Sequence, residues 1–286
     1  MKKLIGLSLV LVIILLALTG CETNTLSKES KEITVVSREE GSGTRGAFIE
    51  LFEIEVKGED GTKVDHTTKE AVTTSKTDVM LTTIANDTNG IGYVSLGSLN
   101  SSVKALNIDG IKATEANIKD GSYKISRPFI LATKVEVTEV TQDFIDFILS
   151  KEGQEVIGKD YIAIDEKAPS YIGEKPSGRI VVVGSSSVSP IMEKLKEAYL
   201  KINTNASIEI QTLDSSAGIT ATIDETCDIG MSSRELKDSE KEKVTGIQIA
   251  IDGIAVIVNN KNNLTNLAKE EVKEIFTGKI LNWDEI

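Results

Sequence analysis

Basic residues, histidine and cysteine are what this 286-residue chain has least of. Lys and Arg number 32 against 44 Asp and Glu, a formal net charge of −12. A phosphodiester backbone is held by a basic face, so nucleic acid is excluded as a partner. A small anion is not excluded, because backbone N–H groups and one local cation can hold it. The one histidine, His66, lies in the polar run "KVDHTTKE" and reads as a solvated loop residue, which leaves a Ser-His-Asp hydrolase without a credible base. "SSVK" (101–104) matches Ser-x-x-Lys but lacks the motifs that accompany it in hydrolases. The two cysteines, Cys21 and Cys227, give no disulfide framework, and Cys227 within "ATIDETCDIGMS" reads as a small buried apolar residue. No Cys/His cluster, Walker loop or dinucleotide fingerprint occurs, so neither a cofactor nor a metal is expected. Two of the four prolines fall in "DEKAPSYIGEKPSG" (165–178), which marks a linker between two halves.

Only one long apolar run is present, "LIGLSLVLVIILLALTG", behind Lys2-Lys3 and directly before Cys21. It is short for a bilayer span, and the small residues before a cysteine suit cleavage better. The pattern resembles a bacterial lipoprotein signal. That resemblance implies a signal peptide over 1–20, a lipidated Cys21, and a protein held on the extracytoplasmic face of the cell membrane. Residues 21–32, with the polar "ETNTLSKESKE", would form a flexible tether.

Beyond residue 32 the unit is a β-branched run followed by a helical pattern. "EITVVS" leads into "RGAFIELF", where Phe48, Leu51 and Phe52 share a helical face; "RIVVVG" leads into "IMEKLKEAYLK", with Ile191, Leu195, Ala198 and Tyr199 at helical spacing. "SIEIQTL", "DIGMS", "IQIAIDGIAVIVN" and "IGYVSL" read as further strands, and 139–151 and 268–276 as helices. Alternating strands and helices predict an α/β fold with parallel or mixed sheets, whose ligands sit beyond the carboxyl ends of the strands.

Three strand-to-helix turns share one chemistry: "GSSSVSP" (184–190), "DSSAGIT" (214–220) and "REEGSGTR" (38–45). Each sets hydroxyls and free N–H groups at a helix amino end, where the macrodipole favours an anion. One such turn is accounted for by ordinary capping. Three of them, one with an adjacent arginine, point to a divided anion site.

"GSSSVSP", "DSSAGI", "DIGMSSRELK", "IAIDGIAVIVN", "IFTGKILNW", "REEGSGTR", "GIGYVSLG", "YKISRPF" and "FIDFILSKEGQ" together resemble the phosphate-binding lipoproteins of bacterial high-affinity phosphate ABC importers. The resemblance implies a two-lobed periplasmic-binding-protein-like α/β fold with the anion between the lobes, and an ABC permease as partner. It implies no catalysis, and a monomer. The block order differs from the family's, as in a circular permutant whose old ends are joined by 165–178; a piece of a tandem gene is the alternative. One lobe is then 90–258, the other 33–89 with 259–286, and "IAIDGIAVIVN" and "GIGYVSL" are hinge strands. By the same resemblance Ser186, Ser187 and Ser215 hold the anion from one lobe, and Arg38, Ser42, Gly43 and Thr44 from the other. Glu40 would orient Arg38; the alternative is a surface arginine paired with Glu39 or Glu40. Some members carry an aspartate where this chain has Ser233, which accepts the proton of hydrogen phosphate and so rejects sulfate. Asp214, Asp228, Asp252 or Glu40 are the candidates to replace it. Arg234 is either a second cation of the site or a structural ion-pair residue. Sulfate, molybdate or another oxyanion is the nearest alternative ligand, and a hydrolase, or a sensor or adhesin on the same fold, the more distant ones.

Overall fold

The computed structural model describes residues 31–58 and 62–286. The leader, Cys21 and the tether as far as residue 30 lie outside the described residues. Glu32 makes an isolated antiparallel bridge to Asn282 ahead of the first strand.

Strand β1 (Thr34–Arg38) turns into α1 (Gly43–Leu51), followed by the hairpin β2 (Glu55–Lys57) and β3 (Lys63–Asp65). Then come β4 (Val72–Thr74), α2 (Thr77–Asn86) and β5 (Gly90–Ser95). β6 (Val103–Ala105), β7 (Asn107–Ile108) and α3 (Glu115–Lys119) lead to the long β8 (Ser126–Thr133). The helices α4 (Glu139–Leu149) and α5 (Lys151–Ile157) and the short β9 (Ile162–Ala163) precede the linker. After it run β10 (Gly178–Ser185), α6 (Ser189–Ile202), β11 (Ala206–Leu213), α7 (Ser215–Ile223) and β12 (Ile229–Ser232). The chain continues through α8 (Asp238–Lys241), β13 (Thr245–Asn259), β14 (Asn266–Leu267) and α9 (Lys269–Phe276). The expected helix over 139–151 divides at Ser150, whose extended backbone starts α5 and whose hydroxyl accepts from the Gly153 N–H.

The main sheet has the order β11-β10-β12-β8-β13-β5-β1-β4, so its two outer portions are parallel and its middle is antiparallel. β13 is the member both portions share. Its Thr245–Gly253 stretch pairs with β8, and from Ile254 onward it pairs with β5. The apolar residues divide at the same place. One large cluster gathers Val36, Phe48, Phe52, Tyr93, Ile118, Ile257 and Phe276; a second gathers Phe129, Phe144, Ile180, Leu195, Tyr199 and Ile249. A small third, with Ile130, Ala132, Ile219, Leu236 and Val244, lies between β8 and α7. β5, expected as a hinge strand, packs wholly in the first cluster, whereas β8 leaves the second beside β13. The few aromatic residues are concentrated: Phe48 stacks on Tyr93 at 3.9 Å between centroids and meets Phe276 edge-on at 4.7 Å. That contact joins the amino-terminal segment to α9 near the carboxyl end. The same two regions are tied by the Ile33 N–H, which donates to the Leu281 carbonyl at 2.7 Å.

The linker is fastened along its length. The Lys151 N–H donates to the Pro169 carbonyl, the Tyr171 N–H to Glu152, and the Asn203 amide to the Pro176 carbonyl. Asp143 Oδ2 accepts both the Tyr171 hydroxyl at 2.6 Å and the Tyr199 hydroxyl at 2.7 Å. Burial, reinforced by that carboxylate, pushes both phenols far above their ordinary range. Tyr171→Phe should lower the unfolding free energy by about 1 kcal/mol in urea denaturation, the usual net worth of one such bond; an unchanged midpoint would mean that the Tyr171–Asp143 bond contributes nothing to stability.

Candidate functional site

In each parallel portion the strands end together at one edge, and the next helices start there. At the first edge stand β1, β4, α1 and α2; at the second β10, β11, β12, α6 and α7. Because β1 is flanked on both sides, its last residues are buried, and Arg38 is only 2% exposed. Tyr93 fixes this strand end: its oxygen accepts the Arg38 N–H at 3.1 Å and lies 2.9 Å from Ser37 Oγ. Burial raises the Tyr93 phenol, against the lowering effect of Ser37 and the Arg38 N–H.

The guanidinium is clamped on one edge by Glu39, through Nε to Oε2 at 2.8 Å and Nη2 to Oε1 at 2.7 Å. Glu40, expected in this part, stands exposed in the turn instead. The backbone reverses there, with the Ser42 N–H bonded to the Glu39 carbonyl, and this carries the Glu40 side chain outward. The surface-arginine alternative falls with the burial of Arg38. Beyond Glu39, Nη2 donates to Ser186 Oγ at 3.2 Å and to the Ser75 carbonyl at 3.5 Å, and Nη1 to Thr77 Oγ1 at 3.5 Å.

Around this cation the two edges meet. Thr44 Oγ1 lies 2.8 Å from Ser187 Oγ, and Thr77 Oγ1 lies 3.2 Å from Ser186 Oγ and 3.3 Å from Ser187 Oγ. Ser233 links Ser185 and Ser215, its Oγ accepting from Ser185 at 2.9 Å and its N–H donating to Ser215 Oγ at 3.1 Å. Gly43 lies against this pair so closely that a Cβ would fall 2.3 Å from Ser215 Oγ and 2.7 Å from Ser233 Oγ. Ser42 caps α1, accepting the Arg45 N–H, and Asp214 caps α7, accepting the Ala217 N–H. The amino ends of α1, α2, α6 and α7 therefore converge on buried hydroxyls around one guanidinium. Arg38, Gly43, Thr44, Ser186, Ser187, Ser215 and Ser233 come together, with Ser42 buried in the turn beside them.

Arg234 resolves toward its structural role. It makes a two-pronged pair with Glu240, 2.8 Å on each side, and reaches only Ser216 Oγ toward the cradle. Burial opposes ionisation of Glu240, but Arg234 and the Lys237 N–H outweigh it and hold the carboxyl below its usual range. Of the four carboxylates considered as substitutes for an aspartate at 233, Glu40 is exposed, Asp214 caps α7 through Oδ1, Asp228 accepts the Val181 N–H, and Asp252 pairs with Arg127. His66 is exposed at the end of β3, and Lys104 donates to the Asn262 carbonyl. Cys227 is buried, which raises its thiol. Among the described residues no group of His, Cys, Asp and Glu is arranged to hold a metal, and no helix is long and apolar enough to cross a membrane. The sequence reading missed Thr77, and it named Glu39 only as a partner of Arg38 in the surface-arginine alternative. "TTSKTDVM" (73–80) carries the same hydroxyls before a helical run as the other three turns, and Glu39 is the nearer of two adjacent acids.

Two apolar cores sharing crossing strands, with helix amino ends from both sides meeting at a polar cradle, define a solute-binding architecture. The chain belongs to the PBP superfamily, whose domain model matches residues 24–152 and 169–285. Within it, the chain is 56% identical over 272 residues to phosphate-binding protein PstS 2 of Streptococcus agalactiae, covering 94% of this chain and 92% of that protein. PstS 2 of Streptococcus pneumoniae is 46% identical over 263 residues, covering 91% and 90%. A solved phosphate-binding protein of a phosphate ABC transporter from Streptococcus pneumoniae superposes with a TM-score of 0.71 at 46% identity, over 89% of this chain and 99% of that one.

Gly43→Ala should cost roughly 1–3 kcal/mol of unfolding free energy, because the added methyl overpacks buried serines. Chemical denaturation checks this, and a wild-type midpoint would show that the two edges do not close as tightly as described.

Proposed function

We propose that this protein captures inorganic phosphate in the cradle around Arg38 and delivers it to an ABC permease, without chemical change to the ligand. The observation that carries the reading is the buried guanidinium: one edge is neutralised by Glu39, and the other opens on hydroxyls at four helix amino ends. An oxyanion there receives charge-assisted bonds from Arg38, with neutral donors from Ser42, Gly43, Thr44, Thr77, Ser186, Ser187 and Ser215. The names of the relatives supply the choice of phosphate among oxyanions, and transporter binding proteins are not enzymes. In this reading the proton of hydrogen phosphate goes to a hydroxyl such as Ser233.

The two apolar clusters act as lobes that close on the ligand. Their packing supports boundaries just before β8 and inside β13, with 33–125 and 254–286 mainly in one lobe and 126–253 mainly in the other, so 90–125 joins the amino-terminal lobe. An exchanged block order is supported by the pairing of Ile33 with Leu281 and by the fastened linker. The protein works as a monomer, lipid-anchored through Cys21 on the extracytoplasmic face of the membrane.

Calorimetry with phosphate and sulfate in parallel tests the reading. Phosphate should bind at micromolar affinity or tighter, and Arg38→Ala should weaken it by at least about 100-fold, in line with loss of one buried charged partner. Absence of binding to the wild-type protein would overturn the assignment. Sulfate should compete measurably, because a hydroxyl can turn to donate where a carboxylate cannot.

A further inference from the structure

The rim of the cradle carries a contact between the two edges in which the proposed phosphate ligands take no part. Gly41 lies in the turn between β1 and α1, whose Val36 and Phe48 pack in the first apolar cluster. Its carbonyl accepts the Ser216 N–H at 3.2 Å, from the first turn of α7, which packs on β10 and β12. The first turn of a helix has no carbonyl of its own for such an N–H, and the Asp214 cap is taken by Ala217. Ser216 is held a second time through its hydroxyl, which accepts from Arg234 Nη2 at 3.3 Å while Glu240 fixes Arg234. Gly41, Asp214 and Ser216 are half-buried, whereas Ser42, Gly43, Thr44, Ser215 and Ser233 are buried. The bond therefore sits nearer to solvent than the hydroxyls around Arg38.

At this point the turn carries no side chain that would hold the edges apart. A Cβ at Gly41 would fall 2.4 Å from Asp214 Oδ1 and 2.5 Å from Cγ. One at Gly46 would lie 3.5 Å from Arg234 Cδ. Gly41 is not among the glycines with positive φ, so the position uses its lack of a side chain and not its backbone freedom.

We propose that Gly41 and Ser216 form a latch between the lobes, so that closure is held in part by a bond the anion does not make. Opening the cleft breaks this bond and returns the Ser216 N–H to water. Closing regains it, whichever anion occupies the cradle. Gly41 is then a positioning residue for capture, acting through the closed form and not through contact with phosphate. This inference rests on the reading of two lobes closing on phosphate.

Gly41→Ala should weaken phosphate binding by about fivefold to a hundredfold in calorimetry, because the methyl is forced against Asp214 on closure. Sulfate binding should fall by the same factor. A loss confined to one anion would assign Gly41 to the cradle and overturn the latch, as would wild-type affinity for both. Removal of the obstacle should restore binding. Gly41→Ala combined with Asp214→Gly should bind phosphate within about threefold of Asp214→Gly alone, since glycine caps a helix nearly as well as aspartate. No recovery in the double variant counts against the latch. The wild-type protein gives a further test without substitution: exchange of the Ser216 amide hydrogen should slow when phosphate is added. Equal exchange in the free and bound protein overturns the latch while leaving phosphate capture intact. Should the wild-type protein bind no phosphate, the function falls, and Ser216 exchange in the anion-free proteins decides the latch. Faster exchange in the Gly41→Ala protein than in wild type supports it, and equal exchange overturns it.

Discussion

An ionised guanidinium held almost fully out of water is the constraint around which this molecule is arranged. Arg38 is buried at the end of a central strand with Glu39 along one edge and hydroxyls and the Ser75 carbonyl along the rest. Tyr93 holds the strand end from below, and the Phe48–Tyr93–Phe276 stack holds Tyr93. Arg45 adds a brace, donating to the Arg38 carbonyl at 2.7 Å while pairing with Asp65 of the small hairpin. A chain with few aromatic residues has placed three of them beneath Arg38.

The acidic surface and the cradle are then complementary. A net charge of −12 offers no long-range attraction to an anion, so binding depends on contacts made inside the cradle. Hydroxyls and helix amino ends suit that task, since they add partial charges without further full charges to desolvate.

Much of this was legible in the sequence. The strand-to-helix alternation marked the elements, and three hydroxyl-rich turns with Arg38 marked the cradle. What stayed hidden has physical causes. Glu39 and Glu40 are equivalent in sequence, and only the tight turn at Ser42 decides which one reaches Arg38. Thr77 follows a lysine that makes no side-chain cap, so its turn lacked the usual N-terminal marker. The partner change of β13 falls between Gly253 and Ile254, just after Asp252, and a strand pattern carries no sign of which neighbour it pairs with. For the same reason β5 could be mistaken for a crossing strand.

That partner change also governs how the molecule comes apart. β13 gives one stretch to each core, and β8 runs beside it into the second. Neither core can melt without exposing half of a strand on which the other depends. The two large apolar clusters are thereby bound into a single cooperative unit of unfolding.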